Sequence, residues 1–391
     1  MKINFLIFDI FGMGGTVRTV LNVANYLAEN DYDVEIISVF QKRNQPFFEI
    51  DPRIKVTILH DSVNRQKKPK KLMGKIGNRL LKLKSRLIHK DDEAHHVFSL
   101  LTDLKMYSYI KSLESGILIT TRPSFNIFAA KYAKPGVKLI GQEHLNFGVY
   151  SDDLKKAITT SYGKLDYLVT LTDDDTSDYK SLFSNKKVRV RKITNSVPKF
   201  EGNSSKLDEK VVIAAGRLAP QKGFDLLIDS FTTVIKTHPD WKLKIFGYGR
   251  DKAELQQLIL DKKVYNNVIL MGPTKEMEKE LSKASIYALS SRFEGFGMVI
   301  VEAMQCGVPV VSFDCPKGPA EIISHNKDGI LVKNGDIDAL ASSLIDLINN
   351  EEKRKVFGKN ALVNVKRFEI DNIGRLWLEL LGDINGIKKA N

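Results

Sequence analysis

Short apolar runs alternate with segments of helical spacing along almost the whole chain, and the alternation breaks once and restarts. "KINFLIFDI" opens the series, followed by "TVRTVLNVANYLAEN", where Val17, Val20, Leu21, Ala24 and Leu27 share one helical face. "DVEIISVF", "KVTILH", "GILITT", "KLIGQEH" and "YLVTLT" follow as further strands. The polar stretch "NSVPKFEGNSSKLDEK" then interrupts the rhythm and reads as a linker. The pattern resumes with strand "VVIAAGRL", helix "FDLLIDSFTTVIKTH", strand "KLKIFG", helix "DKAELQQLILDKK" and strand "NVILMG". Helix "MEKELSKA", strand "IYALSS", helix "GMVIVEAMQCG" and strand "VPVVSF" extend it, and "IDNIGRLWLELLGDI" closes the chain as a helix. Such alternation requires parallel sheets with helical crossovers. The expected architecture is α/β: two Rossmann-like domains in tandem, over 1–200 and 207–370, with 371–391 a terminal helix crossing back to the first domain.

A chain of 391 residues has ample material for two cores. Its two cysteines, Cys306 and Cys315, form no disulfide framework or common zinc site, and a reducing cytoplasm is expected. The N-terminal apolar run ends in a glycine-rich turn where a signal peptide would continue, so it is read as a strand. No stretch reaches the length of a membrane span. The net charge of +13 is concentrated: Arg65 to Lys90 holds eleven Lys or Arg and no Asp or Glu. Leu72, Ile76, Leu80, Leu83 and Leu87 would fall along one face of a helix there. With no Phe, Tyr or Trp to stack on bases, the segment does not suit nucleic acid. It suits an anionic membrane surface, with a solvated helix as the plainer reading.

Three turns suit phosphate. "FGMGGTV" joins the first strand to a helix, where Gly14 and Gly15 allow close approach to a helix N-terminus. The dinucleotide fingerprint is incomplete, since Val17 stands three residues after Gly14, and the second strand ends in Val39-Phe40-Gln41 without the acidic residue that would hold a ribose. In "GRLAPQKGFDLL", Arg217 and Lys222 flank a turn into a helix, an arrangement able to hold a diphosphate. In "EGFGMVIVE" a glycine loop leads into a helix near Met298. Glu294 precedes the turn and Glu302 lies one helical turn in, suited to sugar and ribose hydroxyls. Each motif alone is also explained by a bare turn or a solvated surface. The acidic runs at Asp31 and Asp33 and at Asp173 to Asp175 read as turns and caps, so no metal site is expected.

Together, "GRLAPQKGFDLLIDSF", "EGFGMVIVE" and "AMQCGVPVVSFDCPKGPAEII" resemble the retaining glycosyltransferases of sequence family 4, whose GT-B fold sets two Rossmann-like domains facing a central cleft. "FDCPKGPAEII" is similar to the subgroup building bacterial exopolysaccharide, capsule, teichoic-acid or oligosaccharide chains. The resemblance implies a nucleotide-sugar donor, UDP-linked, and no cofactor. Arg217 and Lys222 would neutralise the leaving diphosphate, and Glu302 would hold the ribose. Glu294 with the backbone of Phe296, Gly297 and Met298 would grip donor sugar and phosphates. Gly14 and Gly15 would close over the diphosphate from the other domain, and His144 matches the family's active-site histidine, with Glu143 beside it a lesser candidate. The implied acceptor is a hydroxyl of a cell-envelope glycan, teichoic acid or lipid-linked chain, reached at the inner face of the cell membrane. Two other readings share parts of this pattern: a nucleotide-sugar epimerase of the same layout, and a non-catalytic membrane-bound partner of another transferase.

Overall fold

The computed structural model describes residues 1–63, 77 and 79–386. The chain divides into two compact units. One is Met1–Ser196 together with the chain from Ile370 on; the other is Val197–Glu369.

Unit 1 is built on seven strands: β1 (Lys2–Ile7), β2 (Asp33–Gln41), β3 (Lys55–Asp61), β4 (Gly116–Thr120), β5 (Val137–Gln142), β6 (Tyr167–Thr170) and β7 (Arg189–Lys192). Their order is β3-β2-β1-β4-β5-β6-β7 and every pair is parallel. Side-chain alternation explains why the sheet needs helices on both faces. Ile3, Phe5 and Ile7 of β1 enter one core with Ile117 and Ile119 of β4, while Leu6 and Leu118 enter the other. The first core is closed by helix α1 (Gly15–Glu29) and by the C-terminal helix, Ile370–Ile384, which buries Trp377, Leu380 and Leu381. The second is covered by α2 (Leu100–Ser112), α3 (Pro123–Tyr132), α4 (Asp152–Ser161) and α5 (Asp173–Leu182). Thr172 caps α5, so Asp173 to Asp175 form its acidic first turn, where carboxylates meet the positive end of the helix dipole.

Unit 2 has six parallel strands: β8 (Val211–Ala215), β9 (Lys242–Phe246), β10 (Val268–Gly272), β11 (Ile286–Leu289), β12 (Val310–Asp314) and β13 (Gly329–Lys333), in the order β10-β9-β8-β11-β12-β13. Around them lie α6 (Phe224–Thr237), α7 (Lys252–Asp261), α8 (Met277–Leu281), α9 (Met298–Gln305), α10 (Pro319–Ile322), α11 (Ile337–Asn349) and α12 (Glu351–Asn364); the C-terminal helix of unit 1 is α13. The polar stretch read as a linker is held by unit 2: Val197 and Leu207 are buried, and Ser205 donates from its backbone to Cys306. In both sheets the strand order reverses beside the first strand, between β1 and β4 and between β8 and β11. Open parallel sheets bind ligands at the carboxyl ends of the strands flanking such a reversal.

Residues 64–76 and 78, which hold Arg65, Lys67, Lys68, Lys70, Lys71 and Lys75 and the start of the leucine stripe, lie outside the described residues. The part that is described corrects the stripe at its far end. The chain is helical over 79–82, then bends, and Lys84 bridges to Ser99. Asp103 fixes the bend by accepting from the Ser85 hydroxyl and from the Arg86 and Leu87 amides at 2.7, 2.7 and 3.2 Å. Leu87 therefore does not continue a helical face. Among the described residues no helix is long and apolar enough to cross a membrane.

Candidate active site

In unit 2 the loops after β8 and β11 meet at the reversal. Lys222 ends a single 3-10 turn, Pro220–Lys222, and its Nζ lies 2.6 Å from Glu294 Oε1. Ser291 donates to the same oxygen at 2.6 Å. The pair is mostly withdrawn from water, the Lys222 side chain being 16% exposed and that of Glu294 7%. Two glycines make this possible. Gly223 sits at φ +59°, and a Cβ there would stand 2.1 Å from the Ser290 carbonyl oxygen, so only glycine lets the two loops touch. Gly297, at φ +101°, starts α9.

The first turn of α9 carries no side-chain cap and no acidic residue. It opens at Gly297 and Met298; the Ile300 amide is taken by the Gly297 carbonyl at 2.9 Å, and the amides ahead of it are the ones a helix N-terminus presents to an acceptor. Phe296 is buried, with its ring 5.6 Å from that of Phe368 in an edge-to-face contact, so its contribution to a ligand is restricted to the backbone. Glu302 is half-buried one turn into α9. Arg217 is exposed and donates to Gln221 Oε1 at 3.3 Å, while Gln221 donates to the Phe293 carbonyl at 3.0 Å. Arg292 braces the same loops through a bidentate pair with Asp225, at 2.9 and 2.6 Å, and a bond to the Pro220 carbonyl at 2.6 Å. Ser291, Gln221 and Arg292 were not singled out in the sequence. All three flank residues that were, and polar neighbours of a loop glutamate are the signal that could have found them.

Unit 1 has a cavity of about 360 Å³ at its own reversal. It is lined by Asp9 after β1, Thr16 and Val17 of α1, Arg122 after β4, and His144 and Tyr150 after β5. Gly14 and Gly15 are exposed just ahead of Thr16; neither has a positive φ, and a Cβ at Gly14 would meet open space. His144 Nε2 is buried without a hydrogen-bond partner, and burial lowers the ring's pKa to about 4, so the imidazole is neutral near pH 7. Burial raises the Asp9 carboxyl, opposed by the Phe11 amide and by Lys42 and Arg43. Arg122 pairs with Asp92 and lies over the rings of Phe8 and Phe125.

Arg217, Lys222, Glu294, Phe296, Gly297, Met298 and Glu302 thus share unit 2, and His144 shares unit 1 with Gly14 and Gly15. Two buried thiols, Cys306 and Cys315, are free, and burial pushes each up to about 12. Among the described residues no three His, Cys, Asp or Glu are grouped so as to hold a metal ion.

The family model for group 1 glycosyl transferases matches residues 198–363, which is nearly all of unit 2. A glycosyltransferase of Methanocaldococcus jannaschii is 30% identical over 275 residues, 60% of this chain and 68% of that protein. The chain belongs to the group 1 glycosyltransferases. An exopolysaccharide phosphotransferase of Streptomyces coelicolor is 34% identical over 98% of this chain, which spans only 41% of that protein's length. A poly(ribitol-phosphate) α-N-acetylglucosaminyltransferase of Staphylococcus aureus is 30% identical over 69% of this chain and 56% of its own. Among solved structures, an S. aureus TarM mutant in complex with UDP, fondaparinux and α-GlcNAc-glycerol superposes with a TM-score of 0.77 at 20% identity, covering 97% of this chain and 99% of that one. That likeness is one of fold, and the two parallel-sheet α/β units are those of the GT-B transferases, as the sequence led us to expect.

Proposed function

We propose that this glycosyltransferase moves a hexose or N-acetylhexosamine, with retention, from a UDP-sugar to a hydroxyl of a teichoic acid, cell-envelope glycan or lipid-linked acceptor. The observation that carries the reading is the Lys222–Glu294 pair at the strand-order reversal of unit 2, beside an uncapped helix N-terminus. Lys222 and Arg217 would take the diphosphate as charge builds on it, and the first-turn N–H groups of α9 would add fixed donors. Glu294 would accept from donor-sugar hydroxyls and Glu302 from the ribose. The chemistry needs no enzyme nucleophile: the acceptor hydroxyl attacks on the leaving-group side and passes its proton to the departing phosphate. The pocket of unit 1 would receive the acceptor, where neutral His144 can share a hydrogen bond with a hydroxyl.

The Staphylococcus relative's name supports a polyol-phosphate acceptor, and the Streptomyces relative's name an exopolysaccharide. None of these matches favours the epimerase reading. The segment 65–90 would hold the protein at the inner face of the membrane through its lysines and arginines. The test is a panel of UDP-glucose, UDP-GlcNAc and UDP-GalNAc with poly(ribitol phosphate), poly(glycerol phosphate) and glycerol. Release of UDP only when acceptor is present, with an α-linked product from an α-linked donor, is expected. Sugar interconversion without acceptor, or an inverted product, would overturn the reading.

A further inference from the structure

Strand β5 ends at Gln142, and the next two side chains part company. His144 faces the unit 1 cavity, whereas Glu143 is 2% exposed inside the protein. Its Oε1 accepts from Tyr162 Oη and, at 2.9 Å, from Asn126 Nδ2. Its Oε2 accepts from Tyr150 Oη at 2.6 Å. None of these donors is a cation. Tyr150 is itself a wall of the cavity, as are Leu145 and Val149 on the loop between.

We propose that Glu143 is a positioning residue, whose hydrogen bond to Tyr150 clasps the loop that carries His144, Leu145 and Val149 and so sets the shape of the pocket. The middle of that loop is also held at Phe147, which opens a single 3-10 turn, Phe147–Val149, and whose ring packs edge-to-face on Tyr179 at 5.2 Å. Asn146 Oδ1 accepts from the Gly148 amide at 2.5 Å, a bond within the loop. Beyond Tyr150 the chain is secured again, because Ser151 caps α4 and donates to Asp91 at 2.6 Å. The Glu143–Tyr150 bond, between residues seven apart, ties the end of the span back to its start.

Strength and pH response follow from chemistry. A carboxylate accepts from a hydroxyl about twice as strongly as a neutral acid does. Burial is the main reason the Glu143 carboxyl is pushed up to about 7, with the Tyr150, Tyr162 and Asn126 donors lowering it and Asp175 of α5 raising it. Tyr179 of α5 also faces this group, and its own hydroxyl is raised well above the usual range by burial and by Glu143. Above that pH the clasp is charge-assisted; below it the clasp is neutral and weaker.

The inference rests on the proposed function only in calling the pocket the acceptor's, so the primary test uses no ligand. Hydrogen exchange of the full chain is followed at pH 8 and pH 6, corrected for intrinsic rates. In the wild type, amides over 144–150 should open about fivefold more readily at pH 6. Tyr150→Phe should open about tenfold more readily at pH 8 and lose the pH response. Glu143→Gln, which keeps hydrogen-bonding groups in place but cannot ionise, should also be flat with pH. Amides of α2 and α13 should stay unchanged in both variants. Equal loop exchange in all three proteins, or a pH response that persists in Glu143→Gln, would overturn the clasp. With glycerol as acceptor probe, Tyr150→Phe should raise its KM and leave the Kd of UDP alone. The exchange pattern without any transfer to glycerol by the wild type would keep the clasp and count against the acceptor reading instead.

Discussion

Glu294→Gln and Lys222→Met should shift UDP affinity in opposite directions. In the free protein Lys222 Nζ is engaged by Glu294 at 2.6 Å, so a diphosphate must compete with a carboxylate for it. Removing the lysine deletes a charge-assisted hydrogen bond to phosphate, about 1.5–3 kcal/mol. At 1.4 kcal/mol per decade, the Kd for UDP should rise about ten- to a hundredfold. Screening reduces this little, because the lysine side chain is only 16% exposed. Removing the glutamate's charge frees Lys222. If about 1 kcal/mol of pairing no longer has to be surrendered, UDP should bind about fivefold more tightly.

Gln at 294 still accepts from Ser291, and Met at 222 fills much of the volume of the lysine stem, so both variants should fold. Isothermal titration with UDP reads both shifts, and circular dichroism checks the fold. Turnover should part from affinity in Glu294→Gln, falling on the order of a hundredfold if the carboxylate holds the donor sugar in the transition state. Weaker UDP binding in both variants would mean that Glu294 organises the diphosphate site instead of competing with it. Unchanged binding in both would remove this turn from the donor site.

Glu35 offers a stability test away from the site: burial alone would raise its carboxyl, but hydrogen bonds from Lys2, Thr57, Tyr109 and Lys55 bring it down to about 2. Because the folded value lies below the unfolded one, this stability is present above about pH 4.5 and is lost as pH falls towards 2; denaturant melts of unit 1 should show a loss of about 1–2 kcal/mol across that window that Glu35→Gln lacks. If cations and helix N–H groups carry the diphosphate, excess EDTA should leave transfer largely intact, and full loss restored by manganese or magnesium would refute that account. Replacing Lys67, Lys68, Lys70 and Lys71 by Glu should abolish pelleting with phosphatidylserine vesicles at low salt while UDP binding is kept, since each basic residue near such a surface is worth about 1 kcal/mol; wild-type protein that ignores the vesicles would refute the membrane reading.

What could be read from the sequence divides along a physical line. Central strands announce themselves, because a parallel strand covered on both faces must be an unbroken apolar run, as in "FLI" of β1 or "VPVV" leading into β12. The edge strand β7 is "RVRK", exposed or half-buried throughout, and carries no such run, so it is found only through its pairing with β6. Helix α5 begins "DDDTSD" and is too polar to show a stripe; its acidic residues were legible as a cap but the helix behind them was not. The donor turn was legible residue by residue, because glycine, lysine and glutamate each betray a local need. Their contact was not, since Lys222 and Glu294 lie 72 residues apart and meet only through the β8–β11 pairing. Glu143 is the residue whose surroundings are least local in the chain. Its four partners in charge and hydrogen bonding come from α3, the loop before α4, the turn after α4, and α5, and a carboxylate without a cation nearby leaves no local pattern. Only the fold assembles that environment, and the same burial that hides it from the sequence is what moves its ionisation into the neutral range.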